Sequence, residues 1–123
     1  MVPPGTLAPA SAPAADLLAI YRRNRRVVLL FADKADDQAL RAQQADLGPH
    51  APGLTERDMV VVVSADAALR RQLDAPASGF AAILIGKDGG VKLCRAAPIP
   101  FVELAAAVDA MPMRRNEMRL RTR

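Results

Sequence analysis

The sequence predicts an α/β fold in which helices cover both faces of a mixed four-stranded sheet. Three features support this prediction: two apolar, β-branched runs lie on either side of one helical segment, a hairpin signal follows them, and an amphipathic stretch comes last. Two strands joined through a helix form a parallel βαβ unit. A Gly-rich turn between two further apolar runs predicts an antiparallel β-hairpin.

The first strand is predicted at residues 27–31, where the run VVLLF is apolar at every position. Such a run is typical of a strand that is covered on both faces. A short helix is predicted before it, at residues 16–21. A second helix is predicted at residues 37–47, and the Gly- and Pro-containing segment at 48–53 is expected to end it.

The later elements follow in the order strand, helix, strand, strand and helix, at residues 59–63, 67–73, 81–85, 91–94 and 100–110. The two strands of the hairpin flank the turn GKDGG at residues 86–90, and its Asp-Gly step suits the positive φ that a tight turn requires. The complete order, α-β-α-β-α-β-β-α, is that of the thioredoxin-like fold.

The chain divides into three predicted parts. Residues 1–14 are rich in Pro and Ala and are predicted to be a linker or a disordered segment. Residues 15–110 are predicted to form the folded domain. Residues 111–123 form a basic tail or helix, whose five Arg and one Glu account for the formal net charge of +4.

The single cysteine and single histidine exclude several kinds of chemistry. Cys94 has no partner for an intramolecular disulfide or a dithiol reaction, and a Cys-rich zinc site is excluded. His50 has no acidic cluster near it in sequence. The sequence therefore predicts no metal and no cofactor. Only 3% of the residues are aromatic, which disfavours a stacking surface for nucleic-acid bases.

The compartment depends on the N-terminal segment. This segment has neither a basic region nor an apolar core of the kind found in signal peptides. As written, the sequence predicts a cytoplasmic protein, or a periplasmic or secreted one if a signal peptide lies upstream. No apolar run approaches the roughly 20 residues of a membrane span, so no membrane partner is expected.

Three stretches resemble a family of small, mostly bacterial domains of unknown function. They are ERDMVVVV at 56–63, GFAAILIGKDGGVKL at 79–93 and DAMPMRRNEM at 109–118, and the resemblance extends over residues 16–118. It implies a thioredoxin-like, peroxiredoxin-related fold, and related domains occur in vertebrate extracellular proteins with sushi repeats. The parts GKDGGVK and MPMRRNEM are the most specific. The resemblance implies no established reaction, and fold alone does not transfer one.

The junction after the first strand is where thioredoxin-like redox proteins carry their reactive cysteine. That chemistry requires a thiolate stabilised by the following helix N-terminus. Residues 32–37 supply no thiol but three carboxylates, Asp33, Asp36 and Asp37. Helix capping by Asp36 or Asp33 is favoured over a functional carboxylate cluster. The cis-proline of thioredoxins is also missing, because residues 80–82 read Phe-Ala-Ala in its place.

Cys94 is the one thiol that redox chemistry has available. It is a candidate centre for a single-cysteine peroxidase or a redox sensor, with Lys92 and Arg95 beside it in sequence. It falls in a predicted strand rather than at a helix N-terminus. A free cysteine is commonly a small buried apolar residue, and that interpretation is favoured.

Basic residues form the last set of candidates. Lys87 lies in the predicted hairpin turn, which lacks the GxxxxGK[ST] pattern of a phosphate loop. Arg114 and Arg115 belong to the C-terminal segment, a candidate for binding anions, nucleic acid or a protein partner. A docked helix with its arginines in water, and with Glu117 paired to Arg121 at i,i+4, is the favoured interpretation.

Taken together, these features predict a non-catalytic binding or accessory module. The positions that are reactive in this fold are empty, and no other complete catalytic constellation replaces them. The alternatives are a peroxidase or redox sensor that uses Cys94, and an anion- or nucleic-acid-binding protein that uses the arginine tail. These features are compatible with a protein partner, which the sequence does not identify, and they disfavour nucleic acid.

Overall fold

The computed structural model describes residues 6–7, 19–21 and 23–121. Five strands form one sheet: β1 (Thr6–Leu7), β2 (Arg26–Phe31), β3 (Met59–Ser64), β4 (Ala81–Ile85) and β5 (Val91–Arg95), in the order β1-β3-β2-β4-β5. Strand β3 is parallel to both β1 and β2, whereas β4 is antiparallel to β2 and β5 is antiparallel to β4. The helices are α1 (Gln38–Leu47), α2 (Ala51–Glu56), α3 (Ala67–Gln72), α4 (Phe101–Asp109) and α5 (Pro112–Arg121).

The predicted α/β architecture is confirmed, with one addition at an edge of the sheet. All four predicted strands are present, and they form the expected parallel unit and hairpin. The fifth strand, β1, lies within the predicted linker, where Thr6 pairs with Val62 and Leu7 with Val63. Two residues have no readable periodicity, and a strand of this length depends on the exposed backbone groups of its neighbour. The four-strand prediction is therefore one strand short.

The sheet separates two apolar layers. On one face, residues of β2, β3 and β4 pack against α1, α2 and α4 through Leu40, Leu47, Leu54, Leu104 and Val108. On the other face, the alternate residues of the same strands pack against Leu69 of α3 and against Tyr21. Strands β2 and β4 are buried at every position. Apart from Arg26 at the start of β2, their sequences are apolar throughout, as expected for strands covered on both faces.

The start of α1 differs in detail from the prediction. Its N-cap is Asp37, whose Oδ1 accepts a hydrogen bond of 3.0 Å from the Leu40 backbone N–H, rather than Asp36 or Asp33. An aspartate at this position satisfies a donor that the first helical turn leaves unpaired. For the predicted helix at 16–21, residues 19–21 are helical, and 16–18 lie outside the described residues.

The segment at 48–53 ends α1 at Leu47, as predicted, but the residues that follow are also helical. Gly48–His50 form one 3₁₀ turn, and α2 begins immediately after it. Each proline lies in the first turn of its helix, where its missing N–H costs no hydrogen bond. In α2, Gly53 lies against Phe101, since a Cβ added there would come within 2.6 Å of Phe101 Cζ. The Phe101 ring stacks on His50 with centroids 4.2 Å apart.

Helix α1 also positions the segment that leads into α4. The Gln43 side chain is fully buried and makes two hydrogen bonds with one residue: its Nε2 donates to Ile99 O at 2.8 Å, and its Oε1 accepts from Ile99 N at 2.6 Å. Asp46 Oδ2 accepts a bond of 2.7 Å from Phe101 N, the first residue of α4. Side chains of α1 thus provide hydrogen-bond partners for backbone groups of Ile99 and Phe101, which lie outside the sheet.

None of the helices that the structure describes is long and apolar enough to cross a membrane.

Candidate functional site

The junction between β2 and α1 is tied to the loop before β4 by one aspartate. Asp33 Oδ2 accepts a hydrogen bond of 2.8 Å from the Gly79 backbone N–H, and Asp33 Oδ1 lies 3.2 Å from Arg70 Nη2. Ala32 N donates to Ser64 O at the end of β3. The junction where thioredoxin-like redox proteins carry a thiol therefore holds, in this chain, a carboxylate whose two oxygens both accept hydrogen bonds.

Arg70 completes this junction from α3. Its side chain is 3% exposed, and it donates to Pro76 O and Gly79 O, each at 2.7 Å. The guanidinium carbon lies 4.9 Å from the centroid of the Phe31 ring, a cation–π distance. A buried guanidinium is tolerated when its donors and its charge are matched in this way. The set formed by Asp33, Arg70 and Gly79 is called the junction clamp below.

Sequence reasoning overlooked Arg70. It lies in a short helix beside another arginine, and its acidic partner Asp33 is 37 positions away. Neither charge spacing nor helical periodicity connects residues so distant in sequence. The sequence offers one weak indication that Arg70 is buried. It directly follows Leu69, which packs on the sheet from the same helix.

The three predicted carboxylates do not form one site. Asp33 belongs to the junction clamp, Asp37 caps α1, and Asp36 is exposed. Across residues 6–7, 19–21 and 23–121, no group of three or more His, Cys, Asp or Glu side chains is arranged to hold a metal ion. At the junction, the Asp33 carboxylate accepts hydrogen bonds from Arg70 and from the Gly79 backbone N–H.

Replacing Asp33 with alanine is expected to loosen the junction locally without unfolding the protein. The Gly79 amide loses its acceptor, and Asp33 is more than half exposed, so we expect a change of roughly 1 kcal/mol in the free energy of unfolding. Amide hydrogen exchange at Gly79 should accelerate by an order of magnitude or more. Asp36→Ala, which removes an exposed carboxylate from the same loop, is the control and should leave Gly79 unchanged. Equal exchange in both variants would contradict the clamp.

A second charged cluster lies at the opposite, amino-terminal edge of β2 and β3. Arg26, the first residue of β2, is 1% exposed, and its two Nη atoms each lie 3.3 Å from a Glu117 carboxylate oxygen. Its Nη1 also donates to Arg57 O at 2.8 Å. Lys87 Nζ bridges Asp58 Oδ2 at 2.8 Å and Glu117 Oε2 at 2.7 Å.

The same cluster continues along α5. Arg114 is 2% exposed; its Nε lies 3.2 Å from Asp109 Oδ1, and its Nη1 donates to Glu56 O. Arg57 Nη2 lies 3.0 Å from Asp109 Oδ2. Four basic and four acidic side chains thus alternate in one network: Arg26, Arg57, Lys87, Arg114, Glu56, Asp58, Asp109 and Glu117. This set is called the amino-edge network below.

The amino-edge network changes the interpretation of the basic candidates. Lys87 is an internal ion-pair partner in a hairpin whose turn is closed by Gly86 N donating to Gly90 O. Arg114 was expected to lie in water and is buried instead, because Asp109 and the Glu56 carbonyl surround it. Arg115 is exposed, as expected. Glu117 pairs with Arg26 and Lys87, while the Arg121 side chain lies outside the described residues.

The three stretches that carry the family resemblance meet in this network. The first supplies Glu56, Arg57 and Asp58, the second supplies Lys87, and the third supplies Asp109, Arg114 and Glu117. The most specific sequence signals therefore lie at the edge of the sheet opposite the junction clamp. Sequence spacing did not predict this, because the partners come from five separate elements.

Acid is expected to weaken the amino-edge network. Partial burial by itself raises the pKa of Asp109 and Glu117, but hydrogen bonds and charges from Arg57 and Arg114, and from Lys87 and Arg26, outweigh it and hold each pKa below its ordinary value. Each of these carboxylates has a lower pKa in the folded chain than in the unfolded chain, so its ionised form stabilises the fold. This contribution is fully present above the pKa of the unfolded chain, and it is lost as pH falls through the pKa of the folded chain.

The free energy of unfolding should therefore decrease from about pH 5 downward. Urea denaturation at a series of pH values measures it. Glu117→Gln should flatten this decrease, whereas Gln38→Glu, which adds an exposed carboxylate far from the network, should not. An unchanged pH profile in Glu117→Gln would contradict the role of this carboxylate.

Cys94 lies on the edge strand β5 and is exposed. The interpretation of this residue as a buried apolar side chain is therefore wrong: its register partner Ile83 lies in the second apolar layer, which does not extend over β5. Its two cationic neighbours are engaged elsewhere, Lys92 with Asp88 and Arg95 with Glu103. Cys94 has an accessible thiol without a dedicated activating group in these contacts.

Comparisons with known proteins agree with the fold and name no reaction. The model of a domain of unknown function (DUF4174) matches residues 63–117. A search of curated proteins finds no match. A chain from the solved structure described as the basis of the thiol resolving mechanism in yeast mitochondrial 1-Cys peroxiredoxin has a TM-score of 0.60, with 14% identity over 86% of this chain and 94% of that chain.

The likeness at this identity concerns the fold alone, and it confirms the predicted thioredoxin-like, peroxiredoxin-related architecture. The predicted bacterial origin and the relation to sushi-repeat proteins stay predictions. This chain is thus an α/β protein of thioredoxin-like fold that is similar, over residues 63–117, to a domain family of unknown function.

Proposed function

We propose that this protein is a non-catalytic binding or accessory module built on the thioredoxin-like fold. The observation that carries the proposal is the junction clamp. The junction after β2, where redox proteins of this fold carry their reactive cysteine, holds Asp33, and its oxygens are bonded to Gly79 N and Arg70. Thiol–disulfide exchange needs a thiolate there, and a carboxylate in its place forms no such bond.

The clamp also engages both backbone hydrogen-bonding groups of Gly79, in the loop before β4. The Gly79 N–H, a backbone donor of the loop before β4, is satisfied by Asp33. The Gly79 carbonyl is satisfied by Arg70. Because both backbone groups already have partners within the chain, they are not available to a bound peptide. The proposed binding surface therefore lies elsewhere on the domain.

Two rival functions follow from other residues. A peroxidase or redox sensor is favoured by the exposure of Cys94. Anion or nucleic-acid binding by the arginine tail is weakened, because Arg114 and Glu117 are used inside the amino-edge network. Arg115 and Arg119 remain exposed on α5.

The test measures turnover in the purified wild-type chain and in Cys94→Ser. We expect no dithiothreitol-dependent reduction of insulin disulfides, and no hydrogen peroxide consumption above that of Cys94→Ser. Iodoacetamide should alkylate Cys94 in the native chain at a rate within about tenfold of the unfolded chain, because the thiol is exposed. Peroxide turnover that disappears in Cys94→Ser would replace the proposal with the peroxidase function.

A further inference from the structure

Two cations of the amino-edge network are held by the body of the domain, independently of α5. The Arg26 N–H donates to Asp58 O, and its Nη1 donates to Arg57 O. Lys87 Nζ is paired with Asp58, and the Lys87 carbonyl accepts from Arg23 N. These contacts come from the start of β2, the entry to β3 and the end of β4. Arg26 and Lys87 are therefore held in place by contacts that do not involve α5.

The carboxylate between these cations comes from the last described helix. Glu117 lies on α5, and both of its bonds to Arg26 measure 3.3 Å, longer than the 2.7–2.9 Å of a tight charge-assisted bond. Arg26 Nε is buried and has no hydrogen-bond partner within residues 6–7, 19–21 and 23–121. Without Glu117, Lys87 keeps the Asp58 carboxylate as a partner, whereas the Arg26 guanidinium keeps the Arg57 carbonyl and loses its carboxylate. The pair is thus suited to a carboxylate, and the one that α5 supplies fits closely at Lys87, at 2.7 Å, but loosely at Arg26.

Two exposed arginines and two residues with strained backbone lie beside this pair in sequence or in space. Arg23 and Arg25 are exposed immediately before Arg26. Arg23 has φ 72° and Asp58 has φ 53°, values that non-glycine residues seldom adopt. Strain of this kind persists where the surrounding structure enforces it, and it concentrates at ligand clamps. An incoming acidic segment would find complementary charge at the rim as well as in the site.

We propose that Arg26 and Lys87 form a carboxylate-binding site for an acidic peptide segment of a protein partner, and that Glu117 of α5 occupies this site within the chain until the partner displaces it. The inference rests on the proposed binding function, for which it names the surface and the chemistry of the partner. Helix α5 then acts as an internal competitor. Arg23 and Arg25 attract the acidic segment, and Arg26 and Lys87 bind one of its carboxylates.

The test uses full-length chains and a hexaglutamate peptide as the probe, with hexaglutamine as the control peptide. Glu117→Gln removes the negative charge that competes for the two cations while keeping the size of the side chain, so it should bind hexaglutamate at least tenfold more tightly than the wild type. Lys87→Gln added to Glu117→Gln should remove most of that gain. Binding should weaken strongly between 50 and 200 mM NaCl, and hexaglutamine should not bind.

Three outcomes would overturn the proposal. The first is equal binding by Glu117→Gln and by the double variant, which would mean that exposed arginines alone hold the probe. The second is that Glu117→Gln binds acetate as tightly as it binds hexaglutamate at the same ionic strength, which would mean that the site binds any small anion. The third is that a single-stranded oligonucleotide displaces labelled hexaglutamate from Glu117→Gln as effectively as unlabelled hexaglutamate does, which would mean that the site does not select an acidic peptide. Each leaves the disulfide and peroxide assays unaffected, so the failure of this inference is distinct from the failure of the proposed function.

A measurement on the unaltered chain keeps the test independent of variant folding. In the wild type, saturating hexaglutamate should accelerate amide hydrogen exchange in residues 113–120 of α5 while the amides of β2 and β4 keep their protection. Unchanged exchange in α5 at saturation would show that the helix is not displaced, and would overturn the proposal.

Discussion

Replacing Glu117 with methionine is expected to lower the free energy of unfolding by about 3 kcal/mol, because the buried Arg26 charge then loses its carboxylate. Arg26 is 1% exposed and cannot reach water without displacement of α5. Leaving one member of a buried ion pair without its partner costs more than the pair itself contributes. Urea denaturation, monitored by far-UV circular dichroism, measures the change.

The matched control removes both members of the pair. Arg26→Met together with Glu117→Met eliminates the unpaired charge, and we expect it to be less destabilised than Glu117→Met alone. Lys87 retains Asp58 as a partner in both variants. The double variant also loses the bond from Arg26 to Arg57 O, so recovery is expected to be partial. The loss of stability in the double variant is compared with the sum of the losses in Arg26→Met and in Glu117→Met. If it equals that sum, burial of the unpaired Arg26 charge is not the cause.

Replacing Gln43 with leucine is expected to lower the free energy of unfolding by roughly 3 kcal/mol, because two backbone groups of Ile99 lose their partners in the protein interior. Leucine is close to glutamine in size, so the change tests hydrogen bonding rather than cavity formation. Ile99 is itself fully buried, and water does not readily replace the lost partners. Chemical denaturation again gives the magnitude.

Two comparisons separate this effect from a general loss of helix stability. Gln38→Leu changes an exposed residue of the same helix and should shift stability by less than about 0.5 kcal/mol. Gln43→Glu keeps an acceptor for Ile99 N but has no donor for Ile99 O, and it buries a carboxyl group, so it should also be destabilising. A loss in Gln43→Leu no larger than that in Gln38→Leu would contradict the role assigned to this side chain.

These two residues illustrate why the sequence left the candidate sites incomplete. Gln43 appears in the sequence as one polar residue on an amphipathic helix, yet it is fully buried against a segment that begins more than fifty positions later. Glu117 has Arg121 at helical spacing, but it pairs with Arg26 and Lys87, which are 91 and 30 positions away. Local spacing predicts only contacts between near neighbours, and the sheet decides the distant ones.

Cys94 shows the same limitation on a smaller scale. Its strand was predicted correctly, but its exposure depends on which side of β5 carries a covering layer. Leu93 packs on the first apolar layer, and the adjacent residue therefore points to the other face at an edge of the sheet. Periodicity assigns alternate residues to opposite faces without saying which face is covered.

The sequence by itself determined the fold class, the order of the main elements and the absence of dithiol chemistry. These properties depend on local patterns and composition: apolar runs, turn residues and a single cysteine. Only the tertiary structure decided that Asp33 is clamped by Arg70 and Gly79, and that three distant stretches form one ionic network around Glu117. The physical reason is that charges and hydrogen-bond donors act over a few ångströms of space, and the fold alone decides which residues come that close.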